Sequence, residues 1–355
     1  MKKFFATLLA LIMALSLVAC GGSKEEPAPA PSDDEAAVEE GSELPEIELV
    51  AAYAWTSSTI EHEYFLKIAD ELAARTDGKL TLKCYADGTM GSEIECNSQV
   101  ISGATDIALS EGAGWADAAG VPVLGVTGLP YMYTSYDGLM KAGLEVLPGV
   151  FQQLLDDNNV GLKCLVPFSA GLRSVWTKEK PIYELEDFAG MKIRCPEIKL
   201  FSDCITGLGA NPTPIAFSDL YTAVNQGVVD GFEIDAATGV VNNLHEVTKY
   251  YTKTNHIGSL NIICMNKAKF ESLPTEYQEI LVDVFTEYAA MMMEDHTAQT
   301  QAYEAQLSEM GIEVIDLSKE TMDQLVANMQ FIYDEYDEQY GCGELVDQLC
   351  AVGRA

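Results

Sequence analysis

The chain has 355 residues and sets 55 Asp and Glu against 21 Lys and Arg, a formal net charge of −34. That balance excludes a nucleic-acid binder, which needs a basic face, and it makes an anionic membrane surface repulsive. The remaining mass is more than one core usually takes, so two domains are expected.

Residues 1–19 read as a signal peptide. Lys2 and Lys3 precede an apolar run, residues 4–18, that is too short to span a bilayer. Removing residues 1–19 takes two lysines and no acid from the net −34, leaving −36. The run ends in Leu17-Val18-Ala19-Cys20, which resembles the lipobox of bacterial lipoproteins. The resemblance implies cleavage before Cys20 and a lipid on its sulfur. An ordinary secretory signal with a chance cysteine is the alternative. Residues 20–45 then form a Pro-, Ala- and acid-rich tether that lacks the apolar surface to fold. No later segment is apolar and long enough to span, so the expectation is an anchored protein rather than an integral one.

From residue 47 strands and helices alternate. Residues 47–55 read as a strand, and Ser58-x-x-Glu61 is a capping-box pattern opening a helix that Asp77-Gly78 stops. Residues 80–86 are a strand, 93–101 a helix and 106–111 a strand. Such alternation implies a mainly parallel sheet covered by helices. In residues 190–256 a short strand ends at Arg194, a helix follows, then the extended Asn211-Pro212-Thr213-Pro214-Ile215. A second helix opens at Ser218-Asp219, and a strand at Val228-Val229 runs into Glu233 and Asp235. In open α/β sheets ligands bind beyond the carboxyl ends of the strands. An arginine and two carboxylates there suit a small polar molecule. Residues 275–310 contain no Pro or Gly, and their apolar positions recur at helical spacing. One helix of that length would be roughly 54 Å long; a break at residues 294–300 is the alternative. Methionines 291–293 read as core filling.

Eight cysteines follow Cys20, with no C-x-x-C and no Cys/His cluster at zinc spacing. Cys84, Cys164, Cys195 and Cys264 lie in apolar runs, where a thiol behaves as a small hydrophobe. Cys342 and Cys350 are open to pairing, though nothing in the sequence requires it. There is no G-x-S-x-G, H-E-x-x-H, P-loop or G-x-G-x-x-G, and Asp156-x-Asn158 fails as a calcium loop at Val160 and Pro167.

The segment Gly190-Met191-Lys192-Ile193-Arg194-x-Pro196, the Gly209-Ala210-Asn211-Pro212-Thr213-Pro214 turn, Phe217-Ser218-x-x-Tyr221-x-Ala223, Val229-Asp230-Gly231 and Thr254-Asn255-His256 stand in one order. In that order they closely resemble the solute-binding proteins of tripartite ATP-independent periplasmic (TRAP) transporters, C4-dicarboxylate type. The resemblance runs from about residue 47 to the end of the chain. It implies an α/β, two-domain periplasmic-binding-protein-like (Venus flytrap) fold, each domain a mainly parallel sheet flanked by helices, with a long helix spanning both. Domain I takes residues 46–170 plus 260–299 and domain II 171–259 plus 300–355, with the ligand in the cleft. It implies a monomer outside the cytoplasmic membrane that passes a small organic acid to membrane subunits, with no cofactor, metal or covalent chemistry.

Spacing alone leaves Arg194 open between a structural ion pair and a ligand contact; the resemblance points to the ligand carboxylate. Arg173 matches a second cleft arginine, so two arginines either hold both ends of a dicarboxylate or divide carboxylate and hydroxyls between them. Phe217 matches an aromatic that packs on the ligand, with a core role equally open. Glu111 and Glu93 match acidic or polar cleft positions. Many relatives read Val-Asp-Gly-Gln-Glu-Asn, with the asparagine touching the ligand; here Glu233, Ile234 and Asp235 follow Phe232. Ile234 faces an apolar edge of the ligand, or Asp235 supplies the polar contact. Tyr53, Trp55, Tyr131 and Tyr133 are cleft or core aromatics, and His256 takes a structural hydrogen bond. Two rivals remain: a binding lipoprotein of an ATP-driven transporter or sensor, and a secreted carbohydrate-active enzyme pairing Glu93 with Glu111. If Cys20 carries lipid, Cys20→Ala releases the protein from the membrane fraction or leaves it unprocessed; a normally processed variant that stays membrane-bound refutes the anchor.

Overall fold

The computed structural model describes residues 44–354; the leader, Cys20 and most of the tether lie outside them. Among the described residues nine strands form one sheet: β1 Ile47–Ala52, β2 Leu80–Tyr85, β3 Ile107–Glu111, β4 Leu162–Thr177, β5 Lys192–Cys195, β6 Asn211–Pro214, β7 Gly231–Ile234, β8 Tyr250–Asn266 and β9 Glu313–Asp316. The order is β2-β1-β3-β8-β4-β7-β5-β6, with β9 beside β8. At one end β1 pairs parallel with β2 and β3. At the other β5 pairs parallel with β6 and β7. The centre is antiparallel, because β4 and β8 run beside each other from Leu162–Asn266 to Thr177–Tyr250. These two strands tie the two parallel ends together, and helices flank them.

The expected elements are present with shifted edges. The last short strand begins at Gly231, not at Val228, because residues 227–230 make the preceding turn. The long helix is Thr275–Gln306, 32 residues and continuous through residues 294–300, or about 48 Å. The capping box expected at Ser58 and Glu61 does not form. The helix Ile60–Arg75 starts after Thr59 with no side-chain cap, and Glu61 turns inward toward His296, Oε1 to Nε2 3.6 Å. A reciprocal box forms instead at Ser92 and Glu95, opening the helix Glu93–Ser102. Cys342 and Cys350 stand at the start and near the end of one helix, Gly343–Gly353. Eight residues of helix separate them by about 12 Å, beyond disulfide reach. No helix among the described residues is long and apolar enough to cross a membrane.

Trp176 locks the strands that lead to the cleft. Its ring is fully buried, stacks on Phe232 at 5.8 Å and tilts against Tyr251 at 4.7 Å. Its Nε1 donates to the Ile234 carbonyl at 3.2 Å. One side chain of β4 thus fixes both β7 and β8. Gly231 permits this close approach: a Cβ there would lie 2.2 Å from the Trp176 carbonyl oxygen. Gly231→Ala is therefore expected to cost about 1–3 kcal/mol in urea unfolding. Gly149→Ala, in the helix Leu147–Asp157 where a Cβ meets nothing, is expected to be neutral or to gain about 0.5–1 kcal/mol.

Candidate functional site

Two adjoining cavities open where the parallel strands end. The larger, about 270 Å³, is lined by Ala54 and Gly88–Glu95 residues beyond β1 and β2, and by Arg194, Pro196–Ile198 and Ala216–Ser218 beyond β5 and β6. The smaller, about 40 Å³, shares Ala54, Glu93, Arg194, Pro196 and Phe217 and reaches inward to Trp55, Arg173 and Ile234. Both ends of the sheet thus present their carboxyl edges to one cleft. Contacts bridge it. Trp55 and Phe217 face each other at 6.2 Å, Thr56 Oγ1 donates to Asn242 Oδ1 at 2.6 Å, and the Lys199 amide donates to Asp117 Oδ2 at 2.9 Å. The last bond caps the helix Lys199–Gly207, whose own N-cap residue, Ile198, has no side-chain bond to it.

The two arginines have opposite surroundings. Arg173 lies on β4 diagonal to Glu233 of β7, because Val175 is the residue directly opposite Glu233. Diagonal residues share a sheet face, and both are almost wholly buried. Arg173 Nε donates to Glu233 Oε2 at 2.6 Å, and Nη2 to Oε1 at 2.7 Å and to the Glu233 carbonyl at 3.1 Å. Its Nη1 stands 3.7 Å from Glu111 Oε1, and its guanidinium lies 4.8 Å from the Phe201 ring centre. Burial opposes its charge, but Glu233 and Glu111 more than offset this and raise its pKa. Behind the pair, His256 Nε2 is 3.7 Å from Glu233 Oε2, and Nδ1 shares a 2.9 Å hydrogen bond with Thr254 Oγ1. Burial, with help from Arg173, pushes His256 down to about 3, so it is neutral. Burial pushes Glu111 up to about 7, against the pull of Arg173 and of Ser259, whose hydroxyl donates to Oε1.

Arg194 is equally buried but not saturated. Its Nε donates to the Ile215 carbonyl at 2.9 Å, and its guanidinium lies 5.8 Å from the Phe217 ring centre. Nη1 has no hydrogen-bond partner among the described residues. Burial lowers its pKa to about 10, still charged at neutral pH. Glu93 faces the same space. It accepts a hydrogen bond from Ser110 at 2.5 Å, and burial raises its carboxyl against the pull of Ser110, Arg173 and Arg194.

The cleft therefore gathers Arg194, Arg173, Phe217, Glu93 and Ile234 on its walls. Glu111 and Glu233 stand behind Arg173. Asp235 does not reach the cavities: its Oδ1 accepts from the Thr238 amide at 3.0 Å, capping the helix Ala236–Val241, and stands 3.9 Å from His296 Nε2. Of the four aromatics left open, Trp55 is on the wall, and Tyr53, Tyr131 and Tyr133 are core residues. Sequence reasoning missed Ser110, Ser259 and Asp117. Hydroxyls and single acids of that kind carry no spacing signal.

A family model described as bacterial extracellular solute-binding protein, family 7, matches residues 51–339. An uncharacterized protein of Haemophilus influenzae is 30% identical over 275 residues, 77% of this chain and 82% of its own length. The 2,3-diketo-L-gulonate-binding periplasmic protein YiaO of Escherichia coli is 27% identical over 288 residues, 78% of this chain and 83% of its own. A TRAP periplasmic solute-binding protein of Citrobacter koseri, solved with bound D-glucuronate, superposes with a TM-score of 0.79 at 25% identity, covering 85% of this chain and 98% of that one.

Glu111 carries a pH dependence. Its carboxyl holds a proton up to about 7 in the fold, against an ordinary 4.5. Between those values the native state binds more protons than the unfolded chain. The contribution is whole below pH 4.5 and is lost as pH rises through 7, at no more than about 1.4 kcal/mol per pH unit. Urea unfolding across that range is expected to show this loss in the parent and not in Glu111→Gln. Parallel profiles would mean that Glu111 is ionised throughout.

Proposed function

The chain belongs to the bacterial extracellular solute-binding proteins of family 7, the DctP type that serves TRAP transporters, and from its cleft we propose that it captures a hydroxylated monocarboxylic acid. It delivers this acid to the membrane permease. The observation that carries the reading is the difference between the two arginines. Arg173 is paired with Glu233 through Nε and Nη2, whereas buried Arg194, which lines both cavities, leaves Nη1 with no hydrogen-bond partner among the described residues. A guanidinium fork suits one carboxylate. A second carboxylate would meet Glu93 in place of an uncommitted cation. Ligand hydroxyls suit Glu93 and Ser92, while Trp55, Phe217 and Ile234 cover the carbon skeleton. The bound YiaO and Citrobacter ligands named above are acids of this kind.

The reading includes hinge closure about β4 and β8, with domain I at residues 46–170 plus 260–299 and domain II at 171–259 plus 300–355. Trp55–Phe217, Thr56–Asn242 and Asp117–Lys199 are the contacts made on closing. No covalent step is involved. The protein is a monomer, held outside the cytoplasmic membrane by lipid on Cys20, and it takes no cofactor or metal.

Calorimetry with D-glucuronate and with succinate tests the ligand class. D-glucuronate is expected to bind at least tenfold more tightly than succinate. Arg194→Ala is expected to weaken it by about 30- to 5,000-fold, as loss of one partner of a desolvated charge pair does, while the variant still unfolds cooperatively. Equal affinity for succinate, or unchanged affinity in Arg194→Ala, overturns the proposal.

A further inference from the structure

We infer that Cys164 and Cys264 join in a disulfide that staples β4 to β8 once the chain is outside the cytoplasm. In sequence these two residues are 100 positions apart and read as small hydrophobes. In the sheet they are direct partners across the antiparallel β4/β8 ladder. Directly opposed residues in such a ladder have Cα atoms about 4.5 or 5.5 Å apart, according to their place in the hydrogen-bonding pattern. The Lys267 amide donates to the Gly161 carbonyl, so that pair is hydrogen-bonded and Cys164/Cys264, three places on in the same register, is the closer, non-hydrogen-bonded kind, whose spacing a disulfide accepts. Opposed side chains also leave the sheet on the same face, so the two free thiols share one face of the ladder. Both lie in the main core, 5% and 0% exposed.

Four of the other six described thiols are engaged elsewhere. Cys84, Cys96 and Cys342 donate to the carbonyls of Phe65, Gly91 and Tyr336, and Cys195 contacts Ser202 Oγ.

The position also has a structural consequence. The chain between Cys164 and Cys264 carries Arg173, Arg194, Phe217, Glu233 and His256. It leaves the β1–β3 end of the sheet and returns to it beside this pair. A bond here closes a loop of about 100 residues, and in the chain-entropy account a long loop restrains the unfolded chain more than a short one. Nine strand residues, roughly 30 Å, separate Cys164 from Arg173, so the staple sits far from the moving cleft.

In the reaction two S–H bonds break and one S–S bond forms. The electron pair passes to a disulfide-bearing oxidant, a thiol–disulfide oxidoreductase or oxidised glutathione, which leaves as two thiols. Burial holds the Cys264 thiol well above its ordinary range, so thiolate is scarce in the finished fold. The bond therefore forms while the strands are pairing, during folding after export.

The test is oxidative refolding of the whole chain. Reduced, denatured protein is refolded in a glutathione redox buffer, alkylated and mapped by mass spectrometry without reduction. The expected result is a peptide pair joined through Cys164 and Cys264. Its Tm should exceed that of protein refolded and kept in reductant by roughly 5–10 °C. Cys164→Ala and Cys264→Ala should each lose the redox-dependent part of that difference. The parent alone decides the matter if either variant fails to fold. Recovery of both cysteines as alkylated thiols, or their capture only in pairs with other cysteines, overturns the inference. No ligand enters the readout, so the test stands even if the carboxylate reading fails.

Discussion

The buried pair between Arg173 and Glu233 is the constraint on which the cleft depends. Both groups are withdrawn from water, and removing either partner from such a pair typically costs about 3–5 kcal/mol because the other is left charged and dry. Two parallel bonds and a third to the Glu233 carbonyl fix the plane of the guanidinium. Neutral His256 then fills the space behind Glu233 without adding charge. With Arg173 paired to Glu233, Arg194 is the cleft arginine that keeps an Nη1 without a hydrogen-bond partner among the described residues. The protein as a whole is strongly acidic, so a single buried, unsaturated guanidinium is the local inversion of sign that an anion needs.

The sheet explains how the two walls come to face each other. Parallel strands direct their carboxyl ends the same way, and each end of this sheet contributes such an edge. The long antiparallel pair β4/β8 runs through both halves and joins the two edges, with its register shifting between Cys164 and Val166, Ser169 and Gly171, and Arg173 and Val175. Contacts across the gap include the aromatic pair Trp55–Phe217 and the hydrogen bonds Thr56–Asn242 and Lys199–Asp117. Asp117 caps a helix that begins on the opposite wall, so one wall of the cleft completes the hydrogen bonding of the other.

Much of this was legible in the residues. Alternating periodicity placed β1 to β3 and the helices between them within about three residues, since local pattern is enough where one face is apolar. The Gly- and Pro-free run gave the long helix, and its continuity through residues 294–300 is consistent with that composition. Motif order marked Arg194, Phe217 and Glu93 as cleft residues. Two residues found partners that spacing did not show, one distant and one local. Ser58 and Glu61 have capping-box spacing, but Glu61 turns to buried His296. Asp235 stands where a ligand contact was open, but the helix Ala236–Val241 takes its oxygen.

The sequence by itself determined the element types, the approximate strand ends and the family motifs, because these depend on residue identity and near-neighbour spacing. It also determined that any anion must be met by few, concentrated arginines. Only the tertiary structure decided which arginine is free. That depends on the registers of β4: against β7 it sets Arg173 diagonal to Glu233, and against β8 it sets Arg173 opposite Ile257. The same registers put Cys164 opposite Cys264. Register is a property of two distant segments together: a one-residue slip would send each side chain to the other face.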